Sequence, residues 1–369
     1  MLLGSTVFLL VAASGAWTAK LEPPSSAEVC GRCHRAILAA WKSSAHARAM
    51  ESPLFQDALE MTEAEFGAGS GKVCLECHSP LALLTRDPAL RLKVSWEGIT
   101  CDYCHSLRDV STAGPNPKVK IDLSLVKSGP LKNVEATAHG TVFSPIHTSA
   151  LICAPCHQYR NSIGFPVLTT YDEWENSRYA KEGKNCQSCH MYQVAGDVVD
   201  PKIKKSTESK VNLHQMPGSH SLEQLNKTIK ARLTTAREDG QLKLSVEVAN
   251  VAAGHYVPTG SPMRQLVMEV RADSYDGKHF REERRYRRTV ADQRGKALSV
   301  EPAAFLKGAK VIADTRLAPD ERRTESFSFP VPNGVQAQVR VAFWYYYSPL
   351  AVTESQKRVT FLTIRRLVR

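Results

Sequence analysis

Residues 30–34 read Cys30-Gly31-Arg32-Cys33-His34, and the pattern Cys-x-x-Cys-His returns four times, at 74–78, 101–105, 153–157 and 186–190. The five copies use every cysteine in the chain, as the pairs Cys30/Cys33, Cys74/Cys77, Cys101/Cys104, Cys153/Cys156 and Cys186/Cys189. Two thiols three residues apart lie about one helical turn apart, so both reach the two vinyl groups on one edge of a porphyrin. The residue that follows, a histidine, then meets the iron from one face. This is the attachment signature of a c-type haem, with His34, His78, His105, His157 and His190 as proximal ligands. A zinc site needs CxxC units converging in pairs, without an invariant trailing histidine, and a thioredoxin-like site needs one CxxC rather than five. With no cysteine left over, a disulfide scaffold is excluded.

Working outward, the motifs are spaced by 44, 27, 52 and 33 residues, so there is no strict internal repeat. Roughly 32 residues per haem are too few to build a separate hydrophobic core for each, so the porphyrins themselves must form the core, wrapped by short helices and loops. Ala113-Gly114-Pro115-Asn116-Pro117 and Ser128-Gly129-Pro130 are loop signals between motifs. Packed this closely, five haems form a path for electrons.

Seven histidines remain for the opposite iron faces: His46, His139, His147, His214, His220, His255 and His279. The run from Ser25-Ser26-Ala27-Glu28, a capping box, to Met50 reads as one continuous helix. On it His46 lies about 18 Å beyond His34 and turned by ~120°, so it would serve a neighbouring haem and fasten two together. His147 sits ten residues before His157, His214 and His220 follow the last motif, and His255 lies in Ala253–Gly260. The expected distal set is therefore His46, His147, His214, His220 and His255, with His139 in reserve and His279 structural. Met191 and Met216 are alternative ligands that would raise the potential.

The chain has 369 residues and a net charge of +11, enough for two domains at roughly 150 residues each. Residues 1–225 hold equal numbers of acidic and basic side chains, 22 of each, so the whole excess lies in 226–369. Residues 1–19 carry no charge and contain the apolar run Val7–Ala13 followed by small residues, a secretory signal. The reading is a signal at 1–19, a pentahaem domain at 20–225 that is mostly α and irregular, and an all-β immunoglobulin-like sandwich at 226–369. Alternating runs support the sandwich: Gln241–Val248 after the turn Asp239-Gly240, then Gln265–Ala272, Thr324–Phe329, Ala337–Tyr346 and Val359–Ile364. The run Arg281–Arg288 reads as an exposed basic face for an acidic redox partner, another multihaem cytochrome or an anionic surface, not for nucleic acid.

In the motifs quoted, together with Trp41-Lys42-Ser43-Ser44-Ala45-His46 and Ser144-Pro145-Ile146-His147, the chain resembles multihaem c-type cytochromes of the cytochrome c554 kind. The resemblance implies bis-histidine haems in stacked pairs and an electron-transfer role. A fifth motif and the C-terminal strands are departures from that pattern. The expected function is electron transfer in the periplasm or at the cell surface by a protein not integral to the membrane once processed. The alternatives are an oxidoreductase of nitrogen or sulfur oxyanions at an open haem, and a subunit of an extracellular cytochrome filament.

Overall fold

The structure is a computed structural model and describes residues 24–205 and 210–369; the signal read at 1–19 lies outside the described residues. Three of the five motifs sit on single short helices, Lys72–His78, Cys101–Ser106 and Cys186–His190; the fourth bridges the 3-10 turn Ala150–Cys153 and helix Ala154–His157, and the first bridges Ala27–Gly31 and Arg35–Lys42. The residue before the motif sets two of these starts. Thr100 accepts a hydrogen bond from the Tyr103 amide and Asn185 from the Ser188 amide, satisfying first-turn donors that would otherwise be orphaned.

The continuous helix expected over 25–50 is broken. His34 leaves helical geometry at φ −99°, ψ 54°, and the second helix ends at Lys42, followed by turns through Met50. The capping box is also remade across the chain: Ser26 accepts from the Glu28 amide, but Glu97, not Glu28, takes the Ala27 amide at 2.8 Å. His46 is instead held by a distant segment, its carbonyl accepting the Ile99 amide at 3.1 Å. That contact needs Gly98, which has φ +66° and whose added Cβ would lie 2.2 Å from the His46 carbonyl oxygen. Gly98→Ala should therefore cost about 1–2 kcal/mol or more, read as a lower denaturation midpoint; an unchanged midpoint would refute this account of the His46 turn.

The C-terminal region contains β1 (Ile229–Glu238), β2 (Gln241–Asn250), β3 (Gln265–Ser274), β4 (His279–Tyr286), β5 (Arg288–Ala291), β6 (Lys310–Asp314), β7 (Arg322–Phe329), β8 (Ala337–Tyr346) and β9 (Arg358–Val368). Two sheets result, ordered β7-β2-β1 and β4-β3-β8-β9, with β5 and β6 forming a separate pair. In β2 every second residue from Leu242 to Val248 is buried, the period of a strand with one face inward. Leu244, Val246 and Val248 of one sheet share a single apolar cluster with Met268, Val341 and Phe343 of the other. Burial of such side chains at about 1.5–3 kcal/mol each makes this the largest protein-only core.

The run Arg281–Arg288 forms most of β4 rather than a bare basic face. Arg281 pairs with Glu269 and Glu283, Arg284 with Glu282 and Glu325, and Arg285 with Glu283. Arg288 turns inward, donating to the Val167 carbonyl at 3.2 Å and to the Pro166 carbonyl. The pair β5–β6 thus clamps the motif-bearing half, where Phe165, Val167 and Val290 share a small core.

Candidate functional site

The five motifs open on one cavity of about 3100 Å³, several times the ~300–1000 Å³ of a single-ligand pocket. Its walls carry the thiols and most of the histidines. Thiols of different motifs lie close together: Cys30 beside Cys101, Cys77 beside Cys156, and Cys153 beside Cys186. The first motif therefore lies beside the third, and the fourth lies beside both the second and the fifth.

The histidines are oriented by their backbone neighbours. Nδ1 of His34 donates to the Val198 carbonyl at 2.6 Å, His105 to Ser128 at 2.6 Å and His190 to Pro217 at 2.7 Å. His139, His214 and His255 do the same to Gly140, Asn212 and Tyr256 at 2.9, 2.6 and 2.8 Å. A ring that spends its Nδ1 proton on a carbonyl presents a bare Nε2 lone pair, the tautomer a metal ligand requires. Burial holds His157 down to about 3 and His214 to about 4, so both are neutral at pH 7.

Four pairs of rings face one another at one common separation. The centroid distances are 6.2 Å for His34–His139, 6.3 Å for His46–His157, 6.4 Å for His105–His214 and 6.3 Å for His190–His255. One metal ion between two imidazoles, at about 2.0–2.1 Å per bond, places ring centres about 6 Å apart. The donor set, the spacing and the cavity all fit c-type haems. Three members of the expected distal set, His46, His214 and His255, stand opposite a proximal histidine.

The other two do not. His147 lies 5.5 Å from His105, but its Nε2 donates to the Cys104 carbonyl of the same motif at 3.0 Å, which puts it on the proximal side. Its Nδ1 is buried with no partner among the described residues. His220 stacks on Tyr347 at 4.3 Å. His139, the reserve, takes the place opposite His34. His279 is exposed and paired with Asp273 at 2.7 Å. His78, its Nδ1 on the Ala49 carbonyl at 3.2 Å, has Phe55 stacked on its ring at 3.9 Å and no histidine across from it among the described residues.

A buried ion pair joins the two halves at His255. Glu173, on helix Thr170–Glu175, receives Arg316 at 2.7 Å; their side chains are 5% and 9% exposed. Glu173 also accepts from the Thr169 and Thr259 hydroxyls, both at 2.7 Å, and from the Tyr256 amide at 3.1 Å. Burial pushes its carboxyl up, but the Arg316 charge and these hydrogen bonds outweigh that and hold it below the usual range. The loop carrying His255 also needs Gly254, whose added Cβ would stand only 3.1 Å from Tyr179 and 3.2 Å from Trp174. Neither Glu173 nor Arg316 carries a motif, so sequence reading missed the clasp.

A family model described as cytochrome c554 and c-prime matches residues 29–106. Among solved structures, a penta-heme cytochrome c552 from Thermochromatium tepidum has the same fold. Its TM-score is 0.73 at 23% identity, covering 93% of this chain and 99% of that one. A putative ApaA protein from Bordetella pertussis aligns over 38% of this chain and 90% of its own, at 9% identity and TM-score 0.20, too low to carry an argument. No curated protein matches. The family match and the shared fold support a multihaem c-type cytochrome, with electron transfer by haem c. No helix among the described residues is long and apolar enough to cross a membrane.

Proposed function

We propose that this chain is an exported electron carrier that holds five haems c through Cys30/Cys33, Cys74/Cys77, Cys101/Cys104, Cys153/Cys156 and Cys186/Cys189. Four irons would be bis-histidine, by His34 with His139, His46 with His157, His105 with His214 and His190 with His255. The observation that carries this reading is the common 6.2–6.4 Å separation of those four ring pairs. When bound, haem c supplies a one-electron iron couple inside a conjugated ring. The chain's own residues do the rest. Backbone carbonyls fix six of the eight paired rings and raise their basicity, His46 instead meets Met216 Sδ at 2.8 Å, and neighbouring motifs lie side by side at the three inter-motif thiol contacts.

Those contacts support an order in which the first and third groups are adjacent and the fourth stands between the second and fifth. Tyr103, buried within the third motif and close to Cys77 and Cys156, joins the two clusters. In the C-terminal region, the strand orders β7-β2-β1 and β4-β3-β8-β9 support an immunoglobulin-like sandwich, whose part is to deliver His255. Residual positive charge there suits an acidic redox partner, and the apolar segment at 1–19 supports export.

Mass spectrometry of the mature protein should exceed the polypeptide by five haems, and denaturation should not release them. A count of four or fewer would contradict the reading. The unmatched His78 favours a second one, an iron open to an exogenous ligand.

A further inference from the structure

The four facing pairs differ in what lies behind their rings. In His34–His139, His105–His214 and His190–His255 both Nδ1 atoms donate to backbone carbonyls. In His46–His157 neither does. His46 Nδ1 meets Met216 Sδ at 2.8 Å, and among the described residues no carbonyl takes a proton from His157. Met216 is set there by its surroundings: it adopts φ +47°, uncommon for a residue with a side chain, and packs against the cluster of Ala27, Trp41 and Ala47. One short segment serves three pairs. The Asn212 carbonyl accepts from His214, Met216 faces His46, and the Pro217 carbonyl accepts from His190.

The acceptor behind a ligating imidazole sets how much charge the ring gives the metal. A carbonyl oxygen draws the Nδ1 proton outward and makes the ring a stronger donor, which favours the ferric iron. A thioether sulfur is a weak acceptor, so the proton stays on the ring and the ring is a poorer donor. Second-shell hydrogen bonding of this kind is one of the levers on a haem potential. With one ring on sulfur and the other without a carbonyl, the His46–His157 pair stabilises a ferric iron least of the four. Its motif also has neighbours on two sides, at Cys77–Cys156 and Cys153–Cys186.

Resting on the reading that His46 and His157 hold one iron, we infer that Met216 is a positioning residue that gives this iron the highest reduction potential of the four bis-histidine groups. The first electron taken up by the four would settle there, between neighbouring groups. Met216 acts through His46, because its sulfur faces the distal ring rather than the metal.

The test is a stepwise reductive titration of the full holoprotein, with each low-spin signal followed by electron paramagnetic resonance. The signal that His46→Ala abolishes should be the first of the four to disappear in wild type. Met216→Gln, which offers an amide oxygen to the same Nδ1, should lower the midpoint of that signal and leave the other three in place. Met216→Leu, with no acceptor, should leave the midpoint level or raise it. All five haems and four low-spin irons should persist in both variants. An unmoved midpoint in Met216→Gln, or a fall of equal size in both variants, would overturn the proposal, the second by assigning the effect to lost packing. A low-spin iron lost in Met216→Leu would overturn it too, by making Met216 a ligand. If the signal abolished by His46→Ala is not the first reduced, the order of potentials falls and the pairs stand. If His46→Ala abolishes no signal, the pairing itself is overturned.

Discussion

Replacing His255 with alanine should leave all five haems covalently attached and convert one low-spin iron to high spin. His255 is supplied by the C-terminal region, yet its ring is 6.3 Å from His190 and within 14° of parallel to it. Its Nδ1 is engaged by the Tyr256 carbonyl, so Nε2 is the atom left to bind metal. Covalent attachment depends on Cys186 and Cys189, which the substitution does not touch. His279→Ala is the matched control, because that ring is exposed and pairs only with Asp273. Its ferric spectrum should be identical to wild type. A His255→Ala protein with an unchanged low-spin count would detach the C-terminal region from the electron path and reduce it to a spacer.

The second large effect is expected at the clasp behind His255. Arg316→Leu should lower stability by about 3–5 kcal/mol, the usual cost of removing one partner of a buried ion pair. Here Glu173 would keep its hydroxyl and amide donors but lose its counter-charge. Glu173→Gln should cost less, because Arg316 retains Asp314 at 2.8 Å. The contribution of Glu173 also has a pH signature. Its carboxyl is held below the unfolded value of about 4.3, so the stabilisation is complete above that value and is lost as pH falls through the lower, folded one. Denaturation midpoints of wild type and Glu173→Gln should converge below about pH 4. A constant gap from pH 7 to pH 3 would show that the carboxylate charge is not what holds the halves together.

The sequence exposed most where the chemistry is local. Five CxxCH motifs single out ten thiols and five histidines within five residues each, and the structure brings all of them to the walls of one cavity. The alternation in Gln241–Val248 and Ala337–Tyr346 gave strands found at β2 and β8. Pairing across an iron is different, since it joins residues far apart in the chain. His139 faces His34 across 105 positions, and nothing in Ala138-His139-Gly140 distinguishes it from Pro145-Ile146-His147. His147 instead directs its Nε2 to the Cys104 carbonyl, a contact that no spacing rule reveals.

The same distinction explains the basic run. Arg281, Arg285 and Arg287 are exposed, as a solvated face requires, but the partners Glu269 and Glu325 lie on other strands, and Arg288 reads as surface although carbonyls of Pro166 and Val167 bury it. The break at His34 in the expected 25–50 helix has a related cause: the Cys33 carbonyl accepts the Asp200 amide at 2.8 Å and the His34 ring donates to the Val198 carbonyl at 2.6 Å, distant contacts that outweigh local helix propensity.

Quantitative electron paramagnetic resonance of the ferric holoprotein against total iron decides whether four histidine pairs each hold one iron and His78 holds the fifth alone. Four low-spin irons to one high-spin iron are expected. Two or more high-spin irons in the intact protein would contradict the four pairs, and five low-spin irons would contradict the solitary His78.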